Sequence, residues 1–193
     1  MHARTLIAAL TAGAALAACA QDETATTDSA AGAAAAPAPM TPAAPVLTDA
    51  NIVYILDQAN MADSAMGKVA ETKATDPEVK RFAQMMMSEH HALRQAGENL
   101  AKKLAVTPTP PPADDSQGMV KATMDSLGAQ ARGKAWDKAY IDHEVMMHQA
   151  VLDKANEALA AAQNAELKTL IQGAAPVIQK HLDMAKQLQT KLQ

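Results

Sequence analysis

The chain has 193 residues and a formal net charge of -4, from 17 basic and 21 acidic side chains, so it has no basic excess with which to hold nucleic acid. Its single cysteine excludes a disulfide framework. One Phe, one Trp and two Tyr against twelve Met imply a core filled by aliphatic and thioether side chains.

The N-terminus reads as a targeting segment. His2 and Arg4 precede the apolar run "LIAALTAGAALAA", which is too short to span a bilayer as a normal helix. The run ends in "LAAC", Leu16 to Cys19, which resembles a bacterial lipoprotein lipobox. That resemblance implies removal of residues 1–18, acylation of Cys19 and anchoring of the chain to a membrane there. Ala20 rather than Asp follows the cysteine, which by the same resemblance favours the outer membrane of a Gram-negative envelope, with the protein facing the periplasm. Residues 19–47 are rich in Ala, Pro, Thr and Ser and carry too little apolar bulk to offset their ordering entropy, so they are expected to form a disordered tether.

Residues 48–193 contain no credible strand and predict an all-α domain. The first helix starts after Thr48 and Asp49, either of which can cap it, and runs to about Lys73. "TDPEV" restarts the chain with Asp76 as N-cap and Pro77 at the first helical position; this second helix reaches about Leu104, where "VTPTPPPADD" stops it. A short helix from about Ser116 to Leu127 precedes the interruption "GAQARG". The fourth helix spans about Lys134 to Ala162, and the last follows "QNAE" with Pro176 inside it, so a kink or break is expected near Gly173. Four long amphipathic helices and two tight turns describe an antiparallel four-helix bundle, with the short helix as an extra piece.

Placing each residue at 100° per step puts Asp63, His90, Glu144 and His181 within the apolar stripes of the four long helices, with His143 and His148 flanking Glu144. His91, in the stretch "MMMSEHH", points about a quarter turn away from its stripe. At 1.5 Å per residue, Asp63 and His90 stand roughly 18 and 22 Å from the first tight turn, and His148 and His181 roughly 22 and 27 Å from the second. An up-down-up-down bundle has both turns at one end, which brings all four groups to a shared level.

Two readings of this polar layer follow. It is a buried network that sets the register of the bundle, or it is a transition-metal site formed by Asp63, His90, His148 and His181 with Glu144 or His143 nearby. Met87, Met146 and Met184 each lie three residues from a histidine; thioether with imidazole suits copper, and carboxylate with imidazole suits zinc, iron or manganese. Methionine is also adaptable packing in an aromatic-poor chain, and that is the preferred reading of these three. No Glu-x-x-His pair is present, so ferroxidase or catalase chemistry is not expected.

"NMADSAMGKVAETKATDPEVKRFAQMMMSEHH", "WDKAYIDHEVMMHQAVLDKA" and "ELKTLIQGAAPVIQKHLDMAKQL" resemble the domain-of-unknown-function 4142 family of bacterial outer-membrane proteins. The resemblance covers about Asn51 to Leu188 and implies a ferritin-like helical bundle. It matches the family's recurrent histidines to His90, His148 and His181, and its inward acid to Asp63, shortened here from Glu; His91 and His143 fall outside the pattern. No activity comes with it. The expectation is an envelope lipoprotein that binds or buffers a transition metal (Cu, Zn or Fe), the alternative being a structural or stress-related bundle that binds another protein.

Overall fold

The computed structural model describes residues 46–193. The signal segment, Cys19 and the tether up to residue 45 therefore lie outside the described residues. Among those described there are five helices and no strand: α1 (Asp49–Lys73), α2 (Pro77–Lys103), α3 (Ser116–Ala129), α4 (Lys134–Ala161) and α5 (Ala165–Lys191). No helix among them is long and apolar enough to cross a membrane.

Local chemistry sets the helix starts. Thr48 caps α1 in a reciprocal box with Asn51, and Asp76 accepts from the backbone N–H groups of Glu78 and Val79 ahead of Pro77. Asn164 does the same for α5 through Glu166 and Leu167. The expected break near Gly173 is absent, because α5 runs unbroken through Pro176. Pro176 and Gln172 are both exposed, so the carbonyl that proline leaves without an N–H partner faces water.

The connectivity differs from the expected up-down-up-down arrangement. Asp137, at the start of α4, accepts from the Thr75 and Asp76 backbone N–H groups, both at 2.9 Å, which places it at the α1–α2 turn. Asp49, at the start of α1, accepts from the N–H groups of Gln163 and Asn164 at 2.8 and 3.0 Å, at the α4–α5 turn. Lys191 pairs with Glu78 at 2.6 Å, and Lys103 pairs with Glu166. The two tight turns thus lie at opposite ends, α2 and α4 run in the same direction, and the segment containing α3 is a long crossover, as in ferritin-like bundles. The expected common level of the four groups survives this correction. A helix of 27 residues is about 40 Å long, so a residue 22 Å from one end is about 18 Å from the other.

The crossover returns along α1. Thr109 is tied to α1 by the Ala50 carbonyl and the Asn51 side chain, and farther along Lys73 donates to the carbonyls of Leu127 and Gln130. Trp136 Nε1 donates to the Leu127 carbonyl at 2.8 Å, fixing the end of α3 to α4. α1 and α2 approach closely at Gly67, where a Cβ would stand 2.8 Å from the Ala83 carbonyl oxygen. Two apolar clusters fill the bundle. One holds Met66, Phe82, Met86, Trp136 and Tyr140 towards the α1–α2 turn, and the other Ile52, Val53, Ala101, Leu167 and Ile171 towards the α4–α5 turn. The predicted polar layer lies between them.

Candidate metal centre

His90 on α2, His148 on α4 and His181 on α5 meet in this layer, each no more than 1% exposed. Their ring centroids are 5.0 to 5.5 Å apart, and one ligand nitrogen from each lies within 4.8 Å of the other two. An ion held at about 2.0 Å by tetrahedrally disposed imidazoles needs those nitrogens about 3.3 Å apart, a separation that this limit admits.

Each ring is oriented from outside the cluster. Asn60 donates its amide to the Leu56 carbonyl at 2.7 Å, which leaves its Oδ1 to accept from His90 Nδ1 at 2.9 Å. His148 Nδ1 donates to the Glu144 backbone carbonyl at 2.9 Å, and His181 Nε2 donates to Glu89 at 2.8 Å. These acceptors fix the tautomers, so His90 Nε2, His148 Nε2 and His181 Nδ1 carry the lone pairs; the same three nitrogens are buried without any partner.

Burial, helped by the neighbouring imidazoles, pushes the pKa of His90 down to about 3. Burial likewise takes His148 down to about 4, against the pull of its backbone hydrogen bond. His181 is lowered by burial, with Glu89 opposing. All three rings are neutral bases at pH 7. Glu89 is pushed up by partial burial, but the hydrogen bonds from His181 and Lys180 outweigh this and hold it below the usual carboxyl range.

Asp63 and Glu144, expected at the same site, form a separate group. With His148 they place ligand atoms within 4.8 Å of one another. Burial raises Asp63 to about 7, and burial followed by the charge of Asp63 raises Glu144 well above the ordinary range. The approaches of His90 Nδ1 to Asp63 (3.5 Å) and of His148 Nδ1 to Glu144 (3.3 Å) are therefore not ion pairs, since both rings are uncharged. His143 does not join the imidazole cluster; it is half-buried on the wall of a cavity between α1, α3 and α4. His91 is exposed, as its phase predicts. Met87 is half-buried beside Gly67 and Met184 packs against the apolar cluster, as the packing reading expects, whereas Met146 is exposed and packs against nothing in the core.

Sequence reasoning missed Asn60 and Glu89. Asn60 is a polar residue one turn before Asp63 in a buried stripe, a signal available in principle. Glu89 carries none, because its partner His181 is 92 positions away.

The model of a domain of unknown function, DUF4142, matches residues 29–188. The chain belongs to the DUF4142 family. Among solved structures this DUF4142 domain is similar to a DUF305 protein from Streptomyces coelicolor, with a TM-score of 0.65 and 18% identity over 75% of this chain and 91% of that one. It is also similar to CopM in its Cu(II)-bound form, with a TM-score of 0.63 and 16% identity over 77% of this chain and all of that one (100%). At such identities the likeness is one of fold. No curated protein matches this sequence.

Proposed function

We propose that this protein binds and buffers a transition metal in the bacterial envelope, with His90, His148 and His181 as ligands and copper as the preferred ion. The observation that carries this reading is the set of three buried, tautomer-fixed imidazoles, each with an unpartnered nitrogen. As a packing network alone, the cluster leaves three buried lone pairs unsatisfied, at about 1–3 kcal/mol each. One ion satisfies all three. A neutral all-nitrogen donor set follows the usual affinity order, in which Cu(II) exceeds Zn(II) and Fe(II), and imidazole also serves Cu(I). The copper-bound CopM structure supplies a precedent for this fold.

The test is titration of the metal-free protein with Cu(I) under anaerobic conditions, and with Cu(II), Zn(II) and Fe(II). Copper should bind most tightly, with nitrogen hyperfine structure from imidazoles in the Cu(II) resonance spectrum. Alanine at His90, His148 or His181 should each weaken copper by about tenfold or more. Binding no tighter than about millimolar, or His90→Ala binding like the wild type, refutes the reading.

The envelope location rests on Cys19. Acylation there would tether the bundle through residues 20–47 to the outer membrane, on its periplasmic side. Cys19→Ser should move the protein from the membrane fraction to the soluble periplasmic fraction; an unchanged distribution and an unchanged mass of the mature N-terminus contradict the anchor.

A further inference from the structure

Asp63 on α1 and Glu144 on α4 form a second polar chamber beside the imidazoles. Glu144 is fully buried and neither of its carboxyl oxygens makes a hydrogen bond of good geometry, although the Tyr140 hydroxyl, itself buried and unpartnered, lies beside it; Asp63 is 6% exposed. Among the described residues the only basic side chains close to either carboxyl are histidines, and each directs its Nδ1 hydrogen bond elsewhere, His90 to Asn60 and His148 to the Glu144 backbone carbonyl. Two carboxyl groups buried side by side without lysine, arginine or backbone donors are costly. Protons or a cation can relieve that cost, and a cation also uses the oxygens that have no partner.

Asp63 also lines a cavity of about 180 Å³ between α1, α3 and α4, together with Ala62, Met66, Met119, His143 and Met147. Met119, at the outer side, is 61% exposed. The cavity has room for several waters, which hard cations retain when only a few protein oxygens bind them.

We propose that Asp63 and Glu144 hold a second ion, a hard or borderline divalent cation of the Mn(II) type, with cavity water completing its shell. Donor chemistry separates the two positions. Two carboxylates neutralise a divalent charge and select oxygen-seeking ions, whereas the neutral imidazole set selects copper. His148 stands between them, its Nε2 towards the imidazole cluster and its Nδ1 holding the backbone of Glu144. The proposal extends the preceding reading from one ion to two, and it rests on that reading only for the identity of the neighbouring site.

The experiment is titration of Mn(II) into the metal-free full chain, followed by loss of the six-line resonance signal of the free aqueous ion. The wild type should take up one equivalent, and the near-isosteric variants Glu144→Gln and Asp63→Asn should each weaken uptake about tenfold or more while keeping wild-type helicity and copper binding. His181→Ala should do the reverse, losing copper and keeping Mn(II). Wild-type uptake no tighter than about millimolar, or Glu144→Gln behaving as wild type, overturns the proposal. Mn(II) uptake lost in His181→Ala but retained in Glu144→Gln means a single site at the imidazoles, which overturns the second site and leaves the first standing. Copper binding absent while Mn(II) binding persists sinks the imidazole reading and supports this one.

Discussion

The imidazole cluster and the carboxyl pair occupy one level of the bundle, share His148 and are almost equally buried, yet they answer burial in opposite ways. The histidines are pushed to lower pKa and the carboxyls to higher, so at neutral pH the rings have shed their protons, Asp63 stands near its midpoint and Glu144 is displaced towards its protonated form. The cause is the same on both sides: low-dielectric surroundings disfavour whichever form is charged. A polar layer of this kind can therefore be buried with few of its groups charged. Its unused lone pairs, rather than its charges, are what the proposed cation sites rest on.

The contrast is most sharply tested by the pH dependence of metal-free stability. A histidine whose folded pKa lies near 3 or 4, against 6.5 when unfolded, takes up its proton only on unfolding, so its effect is to lose stability as pH falls below 6.5. Asp63, raised from 3.8 to about 7, acts in the other direction: stability is present at low pH and is lost as pH rises through that window. In the wild type the two trends offset between about pH 4 and 6.5. Removing the carboxyls with Asp63→Asn and Glu144→Gln should expose the histidine trend, a loss of about 3 kcal/mol per pH unit from two rings on acidification, read by urea unfolding at a series of pH values. His91→Ala, at an exposed position, should leave the profile where it is. A double variant no more acid-sensitive than the wild type would show that the two chambers do not oppose one another.

A smaller effect is expected at Gly67. This residue lets α1 approach α2 closely, one turn along from Asp63 and on the side where Asp63 comes within 3.5 Å of His90. Gly67→Ala forces a Cβ against the Ala83 carbonyl and should cost about 1–3 kcal/mol by overpacking, by a similar amount at every pH because no titrating group is removed. A pH-dependent loss in this variant would mean that helix spacing itself sets the protonation of Asp63.

Much of the molecule was legible before any tertiary structure. Caps and breakers are local, so Thr48, Asp76 with Pro77, and the proline-rich segment after α2 marked helix limits to within a residue or two. Phase is also local. The 100° step that places Val79, Phe82 and Met86 on one face placed His90 there and turned His91 outward, and it brought His148, His181, Asp63 and Glu144 into the interior. Pro176 does not break α5, and the sequence alone does not show that this proline and Gln172 lie on an exposed face.

What the tertiary structure decided is everything that depends on which helix lies beside which. A crossover of this length can either double back or continue, and no periodicity distinguishes the two, so the parallel course of α2 and α4 emerges only from ties such as Asp137 to Thr75 and Asp49 to Gln163. The same holds for the partners that fix each ring, Asn60 for His90 and Glu89 for His181, and for the division of five inward groups into an imidazole cluster and a carboxyl pair. The sequence determined that these groups point inward at mid-height, because inward phase and distance along a helix are properties of a single helix. Only packing determined what they face, because a contact between helices is a property of two.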